Sequence, residues 1–336
     1  VTIAGASYNY ETVKIRNLSL SADRGEVDIL RDIDLDLRAG EILGLVGESG
    51  AGKTLLMKSL AGLLPPAGGF DPEGHLQVPG GSIDLSGEDA RPIRIAMIFQ
   101  DPKQYLNPGL RVVQLLREIL RYSPLFGNTS ALSLLEKVSL PSDQRFLRSF
   151  PHELSGGMQQ RLVIAAVLAA DPDVIIADEA LTALDVATAG EILELFRRTI
   201  EGSRRSMVYI SHDLKTVEHL AHRVAVLYAG RLVELASSRD FFAAPRHPYS
   251  RDLMLSHPSL RDRGGMLPEI PGDIPPAGKF FPGCPYAPRC GRADADCVRA
   301  LPPPVGEGDL MYRCFHPLKV SSVSSPPELG KESPDE

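Results

Sequence analysis

The chain has 336 residues, 43% of them hydrophobic and 24% charged, with no Trp and a formal net charge of −7. That acidic balance argues against a protein whose main task is holding nucleic acid, since such affinity comes from basic surface. The longest apolar run, Leu162 to Ala170, has nine residues, against the roughly 20 that a membrane-crossing helix needs. The length suits one large or two ordinary domains, and Val1 in place of an initiator Met leaves the natural start open.

Val13 to Leu20 and Val27 to Leu30 read as strands about the turn-like Ala22-Asp23-Arg24-Gly25. Ile33 to Arg38 alternates apolar with charged residues, the period of a half-buried antiparallel strand. A small antiparallel sheet is therefore expected first. Ile42 to Val46 is a short apolar run of the kind found in buried parallel strands. It leads into Gly47-Glu48-Ser49-Gly50-Ala51-Gly52-Lys53-Thr54, which fits the phosphate-binding pattern G-x-x-x-x-G-K-[ST], and Leu55 to Ala61 reads as the helix that follows. The glycines let successive N–H groups turn inward, and the helix N-terminus adds partial positive charge. Lys53 is placed to reach the β- and γ-phosphates and the Thr54 hydroxyl to bind Mg²⁺. Pro65 to Gly81, rich in Pro and Gly, reads as a surface loop.

Ile93 to Phe99 is the next strand, ending in Gln100, whose amide can both bind a metal and hydrogen-bond a water. Val112 to Tyr122 and Ala131 to Val138 have helical periodicity and read as a separate helical lobe between Pro102 and Pro151. Ser155-Gly156-Gly157 then opens a helix over Gln159 to Ala170, a second N-terminus able to meet an anion. Val174 to Ala177 is a strand that delivers two adjacent carboxylates, Asp178 and Glu179, at its carboxyl end. Consecutive residues leaving a strand point apart, so Asp178 can serve Mg²⁺ while Glu179 faces a water, as phosphoryl transfer to water requires. Asp185 follows closely. Met207 to Ile210 is a further strand, ending at Ser211-His212, and His212 can hydrogen-bond a γ-phosphate and the attacking water.

This set, in this order, resembles the ATP-binding cassette (ABC) ATPase family over residues from about 12 to 255. The resemblance implies that Lys53 and the loop Gly47, Glu48, Ser49, Gly50, Ala51 and Gly52 hold the phosphates of ATP. It implies that Thr54, Gln100 and Asp178 meet Mg²⁺, that Gln100 links the metal to the transporter contact, and that Glu179 is the general base. His212 would sense the γ-phosphate. Ser155 and Gly157 would contact ATP bound on a second ATPase subunit, since the family works as a head-to-tail dimer, and Gly156 and Asp185 would be further nucleotide-binding residues. Two positions depart from the family pattern. Ala180 replaces a Pro after the catalytic Glu, and no Phe, Tyr or Trp lies between Tyr10 and Phe70 to stack on adenine, with Ala22 near the expected place. Tyr8 or Tyr10 folding back over the base is the other solution.

Val224 to Leu235 reads as a hairpin with an Ala-Gly turn. His247-Pro248-Tyr249, with Phe99 to Pro102 and Leu106 to Pro108, resembles the oligopeptide, dipeptide and nickel uptake branch. All four cysteines, Cys284, Cys290, Cys297 and Cys314, fall in the last 53 residues with spacing C-x5-C-x6-C-x16-C. Clustering favours a shared task over scattered core packing. Four thiolates suit zinc or an iron–sulfur cluster, and the resemblance implies a [4Fe–4S] cluster, with Zn²⁺ as the alternative. His316 is a spare ligand or a surface residue. Ser, Pro and charge dominate from Lys319 to Glu336, where disorder is expected.

The expected fold is α/β: a P-loop ABC nucleotide-binding domain over 12–255, with a mixed sheet, an antiparallel β subdomain and a helical subdomain at about 101–155. A small cysteine-rich C-terminal domain over 256–318 and a disordered tail over 319–336 follow. The expected function is the ATPase subunit of an importer of peptides or a similar small solute, peripheral on the cytoplasmic face of the inner membrane. Its partners would be a second ABC ATPase subunit, two permease subunits and an extracytoplasmic solute-binding protein, with no nucleic acid. The alternatives are a nickel or metal-chelate importer ATPase and an ATP-binding partner with weak hydrolysis in an unequal pair. Only 53 residues separate Gln100 from Leu154, too few for the coiled coil of a DNA-repair relative.

Overall fold

A computed structural model describes residues 12–65, 68–78, 81–87, 93–125, 130–182, 184–257, 269–278 and 280–319. Tyr8, Tyr10 and the tail beyond Lys319 lie outside the described residues. In chain order the strands and helices are β1 (Thr12–Ala22), β2 (Val27–Arg38), β3 (Ile42–Val46), α1 (Lys53–Ala61), β4 (Asp71–Val78), β5 (Gly81–Asp84) and β6 (Ile95–Ile98). Next come α2 (Val112–Arg121), α3 (Ala131–Lys137), α4 (Gln144–Arg148), α5 (Gly156–Ala169), β7 (Val174–Asp178), α6 (Val186–Ile200), β8 (Ser206–Ile210) and α7 (Leu214–Leu220). The chain closes with β9 (Arg223–Tyr228), β10 (Arg231–Ser237), α8 (Ser238–Ala243), α9 (Pro248–Leu255), α10 (Ala295–Arg299) and β11 (Met311–Tyr312).

The strands form two sheets. One is antiparallel, in the order β2-β1-β4-β5; the other runs β11-β10-β9-β3-β8-β7-β6 and is parallel from β9 to β6. The period of two along each parallel strand explains how the second sheet is covered on both faces. Ile175, Ala177, Met207, Tyr209, Val224 and Val226 face one core with α5, α6 and α7. Their neighbours Val174, Ile176, Val208, Ile210, Ala225 and Leu227 face the other core, with α1 and the antiparallel sheet. No described helix is long and apolar enough to cross a membrane.

Several sequence expectations change here. Val27 to Leu30 and Ile33 to Arg38 are one strand, with Asp32 at φ 51° absorbing the irregularity. The Pro- and Gly-rich stretch read as a loop holds β4, which pairs with β1 from Lys14↔Gln77 to Ser21↔Asp71. Gly74, at φ 114°, makes that pairing fit, since a Cβ there would meet Asn17 O at 2.7 Å. The strand is held by its partner rather than by its own propensity. The helix expected from Gln159 starts at Gly156, because the Ser155 hydroxyl caps it by accepting the Met158 N–H at 3.3 Å.

Residues beyond 256 were expected as a small domain apart. Cys284, Tyr286, Ala287 and Cys297 instead join the core beneath α5 to α9, so the described part of this segment has no separate core. Its last strand, β11, adds to the main sheet by pairing Met311 with Leu235 and Tyr312 with Glu234. Arg313 N–H extends the ladder to Val233 O at 2.9 Å.

Candidate active site

The site grows from the carboxyl ends of β3, β7 and β8. Gly47 leaves β3 at φ 150°, where a Cβ would sit 2.2 Å from Leu227 O, so only glycine passes this point without a shift. Gly52, at φ 101°, caps α1. Lys53 folds back over the loop and donates to Gly47 O at 2.7 Å and Glu48 O at 2.9 Å. It is 9% exposed. Burial lowers its ammonium below the ordinary value, while Glu179, Asp178 and Glu48 pull it back up. A buried cation with carbonyl partners alone gains most from an arriving anion.

Thr54 Oγ1 donates to Asp178 Oδ2 at 2.9 Å, joining the start of α1 to the end of β7. Burial raises the Asp178 carboxyl above its usual range, and the Thr54 hydrogen bond opposes this. Two adjacent hard oxygens, one an acid that burial penalises, make a donor pair suited to Mg²⁺. The next residue, Glu179, takes φ 48°, rare for a side chain with a Cβ. Its N–H is caught by Ile210 O at 3.0 Å, and its carbonyl accepts the Thr182 N–H and hydroxyl at 3.3 and 3.0 Å. That turn points the carboxylate at His212, with Nδ1 and Oε1 3.3 Å apart. Ala180, which stands in place of the expected Pro, is buried.

Lys53, Thr54, Asp178, Glu179 and His212 thus line one open cleft of about 420 Å³, together with Ile29 and Ala277. None of the described residues lining it is Phe, Tyr or Trp. Ala22, at the end of β1 opposite Val27, is not among them. Ser155, Gly156, Gly157, Asp185 and Gln100 also lie outside this lining. Gly157 packs on the start of α6, where a Cβ would meet Thr188 Cγ2 at 2.3 Å. Asp185 caps α6 by accepting the Thr188 N–H at 3.0 Å and its hydroxyl at 2.7 Å. Those bonds hold its carboxyl below the usual range. Gln100 follows β6 at a turn closed by the stacked rings of Phe99 and Tyr105, 4.5 Å apart.

All four cysteines are free thiols lining a second, smaller and more enclosed pocket. Burial is the main cause that pushes Cys284 up to about 12 and Cys314 to about 11, and the neighbouring thiols add to it. His316 lines the same cavity and bonds Asp294 through Nε2 at 2.7 Å. Ligand atoms of Asp294, Cys297 and His316 lie within 4.8 Å of one another.

Sequence reasoning missed what lies between the two cavities. His247 is buried, accepts the Tyr249 N–H on Nδ1 at 3.1 Å and sits 3.9 Å from Cys284 Sγ through Nε2. Desolvation brings it down to about 4. The N–H groups of Arg246 and His247 donate to buried Glu234 at 2.7 and 2.8 Å. The Tyr249 hydroxyl accepts the Glu48 N–H at 2.8 Å, and Arg289 forks onto the Glu48 carboxylate. The His-Pro-Tyr motif was the only signal for any of this.

The family described as ABC transporter matches residues 30–182, and the one described as oligopeptide/dipeptide transporter, C-terminal region, matches residues 233–297. The chain is 39% identical over 302 residues to the dipeptide transport ATP-binding protein DppD of Bacillus subtilis, covering 87% of this chain and 90% of that protein. It is 35% identical over 322 residues to the oligopeptide transport ATP-binding protein OppD of Escherichia coli, covering 91% and 93%. Among solved structures, an ATP-binding cassette in a dimeric post-hydrolysis state bound to ADP and Pi is similar at a TM-score of 0.55 and 27% identity, covering 68% of this chain and 99% of that one. The CbiO1 protein of Clostridium perfringens shares the fold at a TM-score of 0.58 and 24% identity, covering 70% and 92%.

Proposed function

This chain belongs to the ATP-binding proteins of the ABC transporter family, in its peptide-transport branch, and on that footing we propose that it hydrolyses ATP to power peptide uptake through separate permease subunits. The observation that carries this reading is the meeting of Lys53, Thr54, Asp178, Glu179 and His212 at one cleft, in a chain 39% identical to a dipeptide transport ATP-binding protein.

In this reading Lys53 and the N–H groups of residues 47–54 hold the β- and γ-phosphates. Thr54 and Asp178 would hold Mg²⁺, with Gln100 as a further ligand brought in by movement toward the cleft; when bound, the ion would neutralise charge on the phosphate oxygens. Glu179 takes a proton from the attacking water, and His212 orients the pair. The water oxygen bonds to the γ-phosphorus as the β–γ bridge breaks, and ADP leaves with the bridging oxygen and its electrons. Ser155, Gly156, Gly157 and Asp185 serve the nucleotide of a second ATPase subunit. Their position outside their own chain's cleft supports that role, as does the dimeric form of the similar cassette.

Residues 12–255 would form the cassette, with its helical part at about 101–155, and 256–318 a cysteine-bearing extension. Four thiols around one pocket, with no disulfide among them, fit a four-thiolate centre. We assign Cys284, Cys290, Cys297 and Cys314 to a [4Fe–4S] cluster that braces the extension, with Zn²⁺ as the alternative. Iron with acid-labile sulfide, lost in Cys297→Ser, is the expected analysis; zinc without sulfide selects the alternative, and neither element removes both. The partners would be two permeases and an extracytoplasmic solute-binding protein, with the chain peripheral on the cytoplasmic face of the inner membrane. A second reading, an ATP-binding partner with weak hydrolysis in an unequal pair, draws support from the lack of Phe, Tyr or Trp among the described residues that line the cleft.

The test is isolation from native membranes in mild detergent, then ATP turnover with a peptide panel and with Ni²⁺. Co-isolated permeases and peptide-stimulated turnover are expected. Stimulation by Ni²⁺ instead would move the cargo to metal, and the absence of a membrane partner would overturn the transporter reading.

A further inference from the structure

An anion-binding loop with a carboxylate in it presents a problem. Glu48 is the second residue of the phosphate loop, and its side chain is 25% exposed. Left unpaired, that charge would repel the triphosphate the loop must hold, in surroundings that screen it poorly. The chain answers from 241 residues away in sequence.

Arg289 Nη1 donates to Glu48 Oε2 at 2.9 Å and Nη2 to Oε1 at 3.1 Å, a two-pronged pairing. The guanidinium is itself fixed. Nε donates to Pro271 O at 2.8 Å, Nη2 to Ile270 O at 3.2 Å and Nη1 to the Tyr228 hydroxyl at 3.2 Å. All five of its N–H donors are therefore engaged, and only 5% of the side chain is exposed. The Glu48 carbonyl accepts Lys53 Nζ at 2.9 Å, and its N–H donates to the Tyr249 hydroxyl at 2.8 Å. One residue thus joins the extension to the cation that meets the phosphates.

We infer that Arg289 is a positioning residue for ATP: by neutralising and orienting Glu48, it lets the phosphate loop accept the triphosphate. The inference rests on the ATPase reading and deepens it. It gives residues beyond 256 a task in nucleotide binding that is distinct from holding a metal.

The test is a two-by-two set in the full-length chain: wild type, Glu48→Gln, Arg289→Ala and the double variant, with ATP affinity read by displacement of a fluorescent analogue. Arg289→Ala should raise the Kd for ATP about tenfold or more, because it leaves an unpaired, half-buried carboxylate on the loop that holds the phosphates. Glu48→Gln serves as the background: in it the Arg289→Ala change should weaken ATP binding by no more than about threefold further, against about tenfold in the wild-type loop. In the reconstituted transporter the loss in Arg289→Ala should fall on KM, with kcat changed less than about threefold. Should Arg289→Ala not fold, Arg289→Lys, which keeps charge but loses the fork, takes its place in the same set. If Arg289→Ala lowered affinity equally with and without the Glu48→Gln change, the arginine would be a fold brace and the inference would be overturned, as it would by unchanged ATP affinity. A wild-type chain that bound no ATP would sink the ATPase reading itself, a separable result.

Discussion

The parallel strands β6, β7 and β8 carry opposite chemistry at their two ends. At their amino ends, opposite charges are drawn together, three arginines against two aspartates. The Asp171 carboxylate meets Arg94 at 2.9 Å, Arg205 at 2.7 Å and Arg204 at 3.3 Å. Arg94 N–H donates to Asp173 Oδ2 at 2.9 Å, and Asp173 N–H returns to Arg94 O at 2.8 Å. At their carboxyl ends the described residues give the Glu179 carboxylate one side-chain partner, His212, at 3.3 Å and in an open cleft. The same strands are tied down at one end and leave acid groups available at the other. Stability and reaction are thus separated by the length of a five-residue strand, and a substitution at either end should touch only one of them.

The largest expected effect tests the open end. Glu179→Gln should lower ATP turnover by about 10²–10⁴-fold, the range for loss of a general base, while ATP affinity stays within about threefold. Comparable stability of the two proteins in urea would sharpen the separation; a collapsed midpoint would break it.

The tied end comes second. Asp171→Asn should cost about 3 kcal/mol of unfolding free energy, since it strands the buried Arg94 guanidinium, and leave kcat in the reconstituted transporter unchanged. Burial works against this carboxylate's charge, but Arg94 and Arg205 outweigh it and hold the group below its ordinary 3.8. A carboxyl lowered in the native state adds stability above its unfolded value, and that contribution is lost as pH falls through the lower native one. Wild type and Asp171→Asn should therefore differ most at neutral pH and converge in strong acid. A difference that grew on acidification would contradict the pairing.

The smallest effect concerns the adenine base. Ala22→Tyr adds a ring at the end of β1, near the place where the family resemblance expects the adenine-stacking residue, and stacking on a base contributes roughly 1–3 kcal/mol. Titration should show tighter ATP binding; an unchanged Kd would mean the end of β1 does not face the base.

How much of this could be read in the sequence follows from distance along the chain. The phosphate loop, the Asp178–Glu179 pair and His212 each follow a short apolar run, so strand and chemistry are written together and both were legible. β4 was not, because Pro72 and Gly74 lie inside it and only its pairing with β1 shows it to be a strand. Arg94 was lost inside an apolar run, its acidic counterparts lying far along the chain. Arg289 and Glu234 were invisible for the same reason: each has its meaning in a partner that no local pattern names. The cysteines were visible as a cluster, but the shared core that holds them was not.

β11 also has a bearing on handling the protein. Two paired residues and the Arg313 bond occupy the outer rim of β10, a row of backbone groups that would otherwise be open to strands of other molecules. This short strand is thus a guard against self-association. Preparations clipped by proteases before Met311 should be the ones that precipitate on concentration, and a shortened expression clone should end after residue 318 rather than at the last helix.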